Sequence, residues 1–452
     1  MKKRKLLIGI LALALAGNTQ AAVIAVIDSG TDLNHQELKN KKWINSRDPD
    51  DAVDNDNNGY IDDLNGWNFA ESNNQLFDKR LLGTFSQDVH RYFEIQTKML
   101  RGEATESEIA WLKSRLQDPK FIAELGVFGN FIHGTHVAGI SAKGAERAQI
   151  MGLKIIPTKA PTVGGRRESS LLGLSANGDV TDMVIKGGLR LLAAQQGKQM
   201  EAIGKYVAVK RARLANCSFG TSTAAAKRIL APLLKGVLRR DPTPQELETY
   251  SIYFVGEAVK AAGTLVNPSK STLFVIAAGN DGMNNDQFPT SPANIKQDNT
   301  ITVAATNGYR KLAGFSNYGA RMVEVAAPGV GILSAIPGNQ YVTVSGTSQA
   351  APFVTGVAGM MIDTNPALSN SDIKRILMGT SDQKEFLRGT VMSGGIVNAG
   401  RAVLAARLAA KMDVTKAMES ARMQVTDVQS SFFESFDSGN EGYVIPLPGL
   451  FQ

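Results

Sequence analysis

A single cysteine, Cys217, in 452 residues excludes an internal disulfide, so stability has to come from packing and bound ions. Membrane-spanning runs are also missing, since the apolar stretch 6–16 is shorter than the roughly 20 residues a bilayer requires. The chain has no long low-complexity tract and no internal repeat, which excludes fibrous and solenoid architectures. An excess of one charge sign is lacking as well. The formal charge of +7 includes Lys2, Lys3, Arg4 and Lys5, and without them 45 Lys and Arg (49 minus 4) stand against 42 Asp and Glu, a net +3. No clustered basic face for nucleic acid follows from such a balance.

What remains is a soluble globular composition, 43% hydrophobic and 20% charged, long enough for one large domain with insertions or for two domains. The four basic residues, the apolar run and Thr19-Gln20-Ala21 read as a secretory signal peptide over 1–21. Export to the periplasm or the medium is therefore expected, with no stable membrane span. No cysteine follows the run to carry a lipid.

Short runs rich in Val and Ile recur at 23–27, 151–156, 273–278, 301–305 and 322–326, between stretches of helical character. Strands alternating with helices predict a three-layer, doubly wound α/β sheet, mostly parallel, with active groups at the carboxyl ends of strands. Two segments, about 72–128 and 221–270, interrupt the rhythm as surface helical insertions. In the first, Val89, Phe93, Met99 and Leu100 fall at helical spacing, Thr105 and Glu108 make a capping box, and Pro119 stops the helix. In the second, Thr243, Pro244 and Glu246 make another box with proline at the first helical position. The basic, Gly-rich stretch 163–168 reads as a loop, and 408–452 as a C-terminal tail of unassigned role.

Three segments carry chemistry: Val26-Ile27-Asp28-Ser29-Gly30, His133-Gly134-Thr135-His136-Val137-Ala138-Gly139, and Ser345-Gly346-Thr347-Ser348-Gln349-Ala350-Ala351-Pro352. Each alone has a plainer reading, as a turn, a core histidine or a cap. Together, in the order Asp, His, Ser, they resemble the subtilase family of serine peptidases. Ala327-Pro328-Gly329 and the stretch 274–282 match it too, and the resemblance covers 23–407 apart from the two insertions.

That resemblance implies a subtilisin-like peptidase domain over 22–407, acting as a serine endopeptidase on protein or peptide substrates without an organic cofactor. Ser348 would be the nucleophile, His133 its general base and acid, and Asp28 the group that orients the imidazole. Asn280 matches the asparagine that donates to the oxyanion, and the predicted helix over 349–362 would add N–H groups at its start, with Pro352 in its first turn. His136, one turn along, is expected to have a packing role. Ser218, Phe219 and Gly220, with Ala278 and Gly279, match segments that hold the substrate as an added strand, Phe219 walling a side-chain pocket. Cys217 is expected to pack inward.

The run 54–63 sets oxygen ligands at alternate positions around Gly59, and Asn65 stands where an EF-hand has glutamate. With Gly66-Trp67-Asn68-Phe69 behind it, the run resembles a calcium loop of some subtilases. The implied ligands are Asp54, Asp56, Asn58, Tyr60 and Asp62, around a structural calcium ion. The chain also departs from the family. Gln349, Ala351 and Phe353 replace the usual methionine, serine and histidine, and no N-terminal pro-domain fits between Ala21 and Asp28. Asp28 and His133 are 105 positions apart (133 minus 28) because of the first insertion. Inhibition is therefore expected from the insertions, the tail or a separate protein, and a dedicated substrate protein docking on the insertions is a further expectation.

Overall fold

A computed structural model describes residues 21–158 and 179–428. The signal peptide except for Ala21, the stretch 163–168 and the tail beyond 428 lie outside the described residues. Six buried residues, Val23–Asp28, form strand β1, and their side chains separate by parity as a pleated strand requires. Ile24 and Val26 pack with Val137, Ala138, Ala350 and Val354. Val23, Ala25 and Ile27 pack with Ile203, Val207, Leu265 and Val266. Apolar residues on both faces mark a strand inside a sheet with helices on each side.

After β1 come β2 (Gly66–Asn68), α1 (Gln87–Arg101), α2 (Glu106–Arg115), α3 (Pro119–Ala142) and β3 (Gln149–Lys154). The middle of the chain holds α4 (Asp179–Val209), β4 (Leu214–Cys217), β5 (Thr221–Ser222), α5 (Thr223–Leu238), α6 (Pro244–Val266), β6 (Leu273–Ala277), β7 (Thr290–Ser291), β8 (Thr300–Asn307) and β9 (Lys311–Leu312). The last part holds β10 (Val325–Pro328), the hairpin β11 (Ile332–Ile336) and β12 (Gln340–Val344), α7 (Thr347–Thr364), α8 (Asn370–Gly379), β13 (Asp382–Gln383), β14 (Gly395–Ile396), α9 (Ala399–Leu408) and α10 (Val414–Gln424).

Among the described residues the main sheet runs β13-β14-β10-β8-β6-β4-β1-β3-β2, with β9 beside β8. Neighbours from β2 to β14 pair in parallel, while β13 and β9 join antiparallel. This is the expected three-layer, mostly parallel α/β fold. On one side of β1 lies β3 and on the other β4, β6 and β8, so the crevice at the switch in winding opens at the carboxyl ends of β1 and β4. Asp28 and Cys217 are those ends. Strand β10 begins at Val325, later than the apolar run suggests, because the Met322 N–H donates to Asp286 Oδ1 at 3.0 Å and the Val323 N–H to the Gly319 carbonyl at 3.0 Å.

Both predicted capping boxes are present, at Thr105 with Glu108 and at Thr243 with Glu246, and Pro119 opens α3 after α2 has ended. The second segment is not only a surface insertion, as its sequence suggested. Ala262, Leu265 and Val266 of α6 belong to the cluster that covers the sheet. At Gly204 of α4 the two helices meet so closely that a Cβ would lie 2.3 Å from the Leu265 carbonyl oxygen. The peripheral addition is α5, whose Leu230 and Leu234 pack on Ile185 and Phe254. The first segment has a core of its own, in which Val89, Tyr92, Phe93, Phe121, Phe128 and Phe131 pack on Ile336, Val342 and Val344 of the β11–β12 hairpin. Burial of side chains this large stabilises by about 2 to 3 kcal/mol each, and the hairpin they cover leads directly into Ser348.

Candidate active site

Helix α3 starts in the first insertion and continues without a break through His133. Its approach to β1 depends on Gly134, where a Cβ would lie 2.2 Å from the Gly30 carbonyl oxygen. That approach places His133 Nδ1 2.6 Å from Asp28 Oδ1. Asp28 is fully buried, and the Ser29 N–H donates to the same oxygen at 2.7 Å. A carboxylate at Nδ1 fixes the tautomer and leaves the Nε2 lone pair available for a proton. Among the described residues the second oxygen, Oδ2, is buried without a partner.

Ser348 is the second residue of α7. Of the first four N–H groups, which a helix cannot satisfy internally, that of Thr347 donates to Asn280 Oδ1 at 2.9 Å, and those of Gln349 and Ala350 donate to the Gly346 carbonyl. Among the described residues the Ser348 N–H has no such acceptor and remains available to an oxyanion at the positive end of the helix. Asn280 Oδ1 also accepts from Thr347 Oγ1 at 2.8 Å, which sets the orientation of its amide. Pro352 lies in the second turn of α7 and not the first. Having no N–H, it leaves the Ser348 carbonyl without its helical donor, and Ser218 Oγ donates there at 3.2 Å instead.

The Ser348 hydroxyl donates to the Ser218 carbonyl at 3.5 Å, and among the described residues no hydrogen bond joins it to His133. Ser348, His133 and Asn280 nevertheless line one cavity, together with His136, Gln349, Val344 and Phe93. Without substrate, catalytic contacts are commonly loose and tighten on binding. His136 has the packing role expected of it. Its Nε2 lies 3.1 Å from the Val342 carbonyl and its Nδ1 3.4 Å from Gln349 Nε2, and burial pushes its pKa down to about 3. The neutral ring thus ties α3 to β12 and to α7.

Ser218, Phe219, Gly220, Ala278 and Gly279, the residues expected to hold the substrate, are all buried, and Phe219 packs with Met200, Ala262 and Leu265 and lines a small cavity with Met200, Ala262 and Pro292. Nearby, Asn216 Nδ2 donates to Ser218 Oγ at 2.9 Å, and Asn216 Oδ1 accepts from Thr355 Oγ1 of α7 at 2.9 Å. Cys217 is buried, and burial together with the Asp28 charge pushes its thiol well above the usual range, which excludes a thiolate nucleophile there.

The acidic run forms a compact loop in which Asn57, Gly59 and Asp62 have positive φ. Carboxylate oxygens of Asp48, Asp54 and Asp56 converge within 4.8 Å of one another. Of the expected ligands, Asp54 and Asp56 are in this group, while Asp62 is turned away to accept the N–H groups of Asp51 and Ala52 at 3.0 and 2.9 Å. Asn58 Oδ1 accepts the Tyr60 N–H at 2.7 Å, and the Tyr60 ring packs edge-on against Trp67 and Tyr206. Lys210 Nζ, in the turn just past α4, lies 2.9 Å from both Asp56 Oδ2 and Asp63 Oδ2. Burial would raise the Asp56 carboxyl, but hydrogen bonds from Lys210 and Asn45 hold it below its ordinary value, whereas for Asp63 burial wins and the value is raised. Lys210 thus neutralises Asp56 and Asp63 alone, and the converging oxygens of Asp48, Asp54 and Asp56, with Asp56 Oδ1 buried and unpartnered among the described residues, form a hard-oxygen set that fits a divalent cation.

Sequence reasoning missed Asp48, Lys210 and Phe93. The first two lie outside the alternating run, and Lys210 comes from the turn after α4, 154 positions beyond Asp56. Phe93 belonged to the right helical face, but spacing does not say what a face covers.

The model of the subtilase family matches residues 129–406, more than half of the chain, including His133, Asn280 and Ser348. Alkaline elastase YaB from Bacillus sp. (strain YaB) is 40% identical over 132 residues, 29% of this chain and 32% of that protein. Subtilisin Savinase from Lederbergia lenta is 37% identical over 132 residues, 29% of this chain and 46% of that one. The chain thus aligns with less than half the length of these relatives. A solved cold-adapted subtilisin-like serine proteinase has a TM-score of 0.41 and 18% identity, covering 83% of this chain and 89% of that one.

Proposed function

Because the chain belongs to the subtilase family, we propose that it is a serine endopeptidase with Asp28, His133 and Ser348 as its triad. The observation that carries this reading is the 2.6 Å contact of Asp28 with His133 Nδ1 beside the cavity that His133 shares with Ser348. In the first step Ser348 Oγ attacks the substrate carbonyl carbon while His133 Nε2 takes the hydroxyl proton. Asp28 stabilises the imidazolium. The oxyanion accepts from the Ser348 N–H and the Asn280 amide, donors fixed before the charge appears. The intermediate collapses as His133 returns the proton to the leaving amine, and water then hydrolyses the serine ester by the same route in reverse.

The reading extends to protein or peptide substrates, to export directed by residues 1–21, and to one calcium ion held by Asp48, Asp54 and Asp56. That ion would neutralise the loop carboxylates and take no part in the acyl-transfer steps. Among the described residues no helix is long and apolar enough to cross a membrane. Incubating the protein with casein in calcium tests the activity: steady release of peptides is expected, and its absence from a folded sample would overturn the reading.

A further inference from the structure

The cavity beside Ser348 has a volume of about 20 Å³, enough for one or two waters or a methyl-sized group. Its lining residues include none of Ser218, Phe219, Gly220, Ala278 and Gly279, which match the segments that hold the acyl part of the substrate. They do include His133, which must pass its proton to the departing amine. The cavity therefore lies on the leaving-group side of the nucleophile, and its lining includes Phe93 of α1 and Val344 of β12.

We propose, resting on the peptidase reading above, that Phe93 is a specificity-determining residue which restricts the substrate position just past the scissile bond to glycine, alanine or serine. A leucine or phenylalanine side chain has no room in a space of this size unless the wall moves. The wall is held in place from several directions. Phe93 is 0% exposed, and its ring packs against Tyr92 and Phe128 at centroid distances of 5.5 and 5.8 Å. Ahead of α1, the Ser86 N–H and hydroxyl both donate to Glu124 of α3, at 2.7 and 3.0 Å. In its first turn Asp88 pairs with Arg115 at 2.8 Å. At its far end Arg101 donates to the Gly331 carbonyl at 3.2 Å, and the Leu100 carbonyl accepts from Asn307 at 3.4 Å. Displacing Phe93 would also expose the cluster of Val89, Tyr92, Phe121 and Phe128 to water. The first insertion thus shapes the site in place of a mobile cover.

The test is acyl transfer. Ser348 is acylated from a peptide ester, and glycinamide, alaninamide, leucinamide and phenylalaninamide compete with water for the acyl group. The unmodified protein should transfer to glycinamide and alaninamide at least about 10-fold better than to the two large amides, and Phe93→Ala should reduce that ratio to about threefold or less. If Phe93→Ala does not fold, Phe93→Leu, which keeps the core apolar, should lower the ratio in the same direction. Equal transfer to all four amides by the unmodified protein, or a ratio unchanged in a folded Phe93 variant, would overturn the inference while leaving the acyl-enzyme intact. Failure of the protein to form an acyl-enzyme, read by mass spectrometry, would instead overturn the peptidase reading and the inference with it.

Discussion

The proposed catalytic triad and the acidic loop are both built around buried carboxylates, and they are assembled in opposite ways. The triad comes from a strand end, the middle of a helix and a helix start, spread from Asp28 to Ser348 and brought together by close backbone approach at Gly134. Its side chains add few ties between those elements: the 2.6 Å bond of Asp28 to His133 links β1 to α3, while among the described residues Asp28 Oδ2 has no partner and the Ser348 hydroxyl has one long contact. In the loop, by contrast, Asp48, Asp54 and Asp62 each accept backbone N–H groups of the loop itself. There the carboxylates are the scaffold. Substitutions in the triad should therefore remove rate and spare stability, and changes in the loop should do the reverse.

The largest effect that would sharpen the contrast is from Ser348→Ala. Peptide hydrolysis should fall by about 10⁶-fold, the order known for subtilisin itself, with the melting temperature unchanged. Asn280→Ala should lower kcat by about 10² to 10³-fold, with KM far less affected, in steady-state kinetics on a short peptide. A large drop in melting temperature in either variant would break the distinction.

For the loop, removing calcium with a chelator should cost about 2.7 kcal/mol of unfolding free energy relative to calcium at a hundred times its Kd. Denaturant melts with and without the chelator read this directly, and an unchanged midpoint would remove the ion. Asp56→Ala should abolish the calcium dependence while the folded fraction keeps its turnover.

His136 is the place where the contrast should blur, since it lies one turn from His133 yet serves the fold. Its folded pKa of about 3 is below the ordinary value of 6.5, so between these values the unfolded chain binds the extra proton. Stability from this residue is present above about pH 6.5 and declines as pH falls towards 3, by up to about 1.4 kcal/mol per pH unit. His136→Gln should have a shallower dependence of melting temperature on pH between 6.5 and 4 than the unmodified protein. Identical slopes would remove His136 from the account.

The sequence made local features legible. The apolar run of β1, both capping boxes and the three motif segments could be read because each depends on residues within a few positions. The segments of the triad could be matched one by one, although nothing in them revealed that α3 runs unbroken from the insertion into His133. Features made by distant contact were not legible: Lys210 reaching the acidic loop, α6 docking on α4 at Gly204, and Phe93 walling the cavity. Asp62 was misread because ligand spacing ignores competition from unsatisfied backbone N–H groups.

The most direct measurement reacts the folded, calcium-supplied protein with a serine-directed fluorophosphonate and maps the adduct by mass spectrometry. One adduct per chain is predicted, on Ser348, lost in His133→Ala at an unchanged melting temperature. A folded protein that takes no label, or takes it on another serine, would contradict the assignment of Ser348 as the nucleophile.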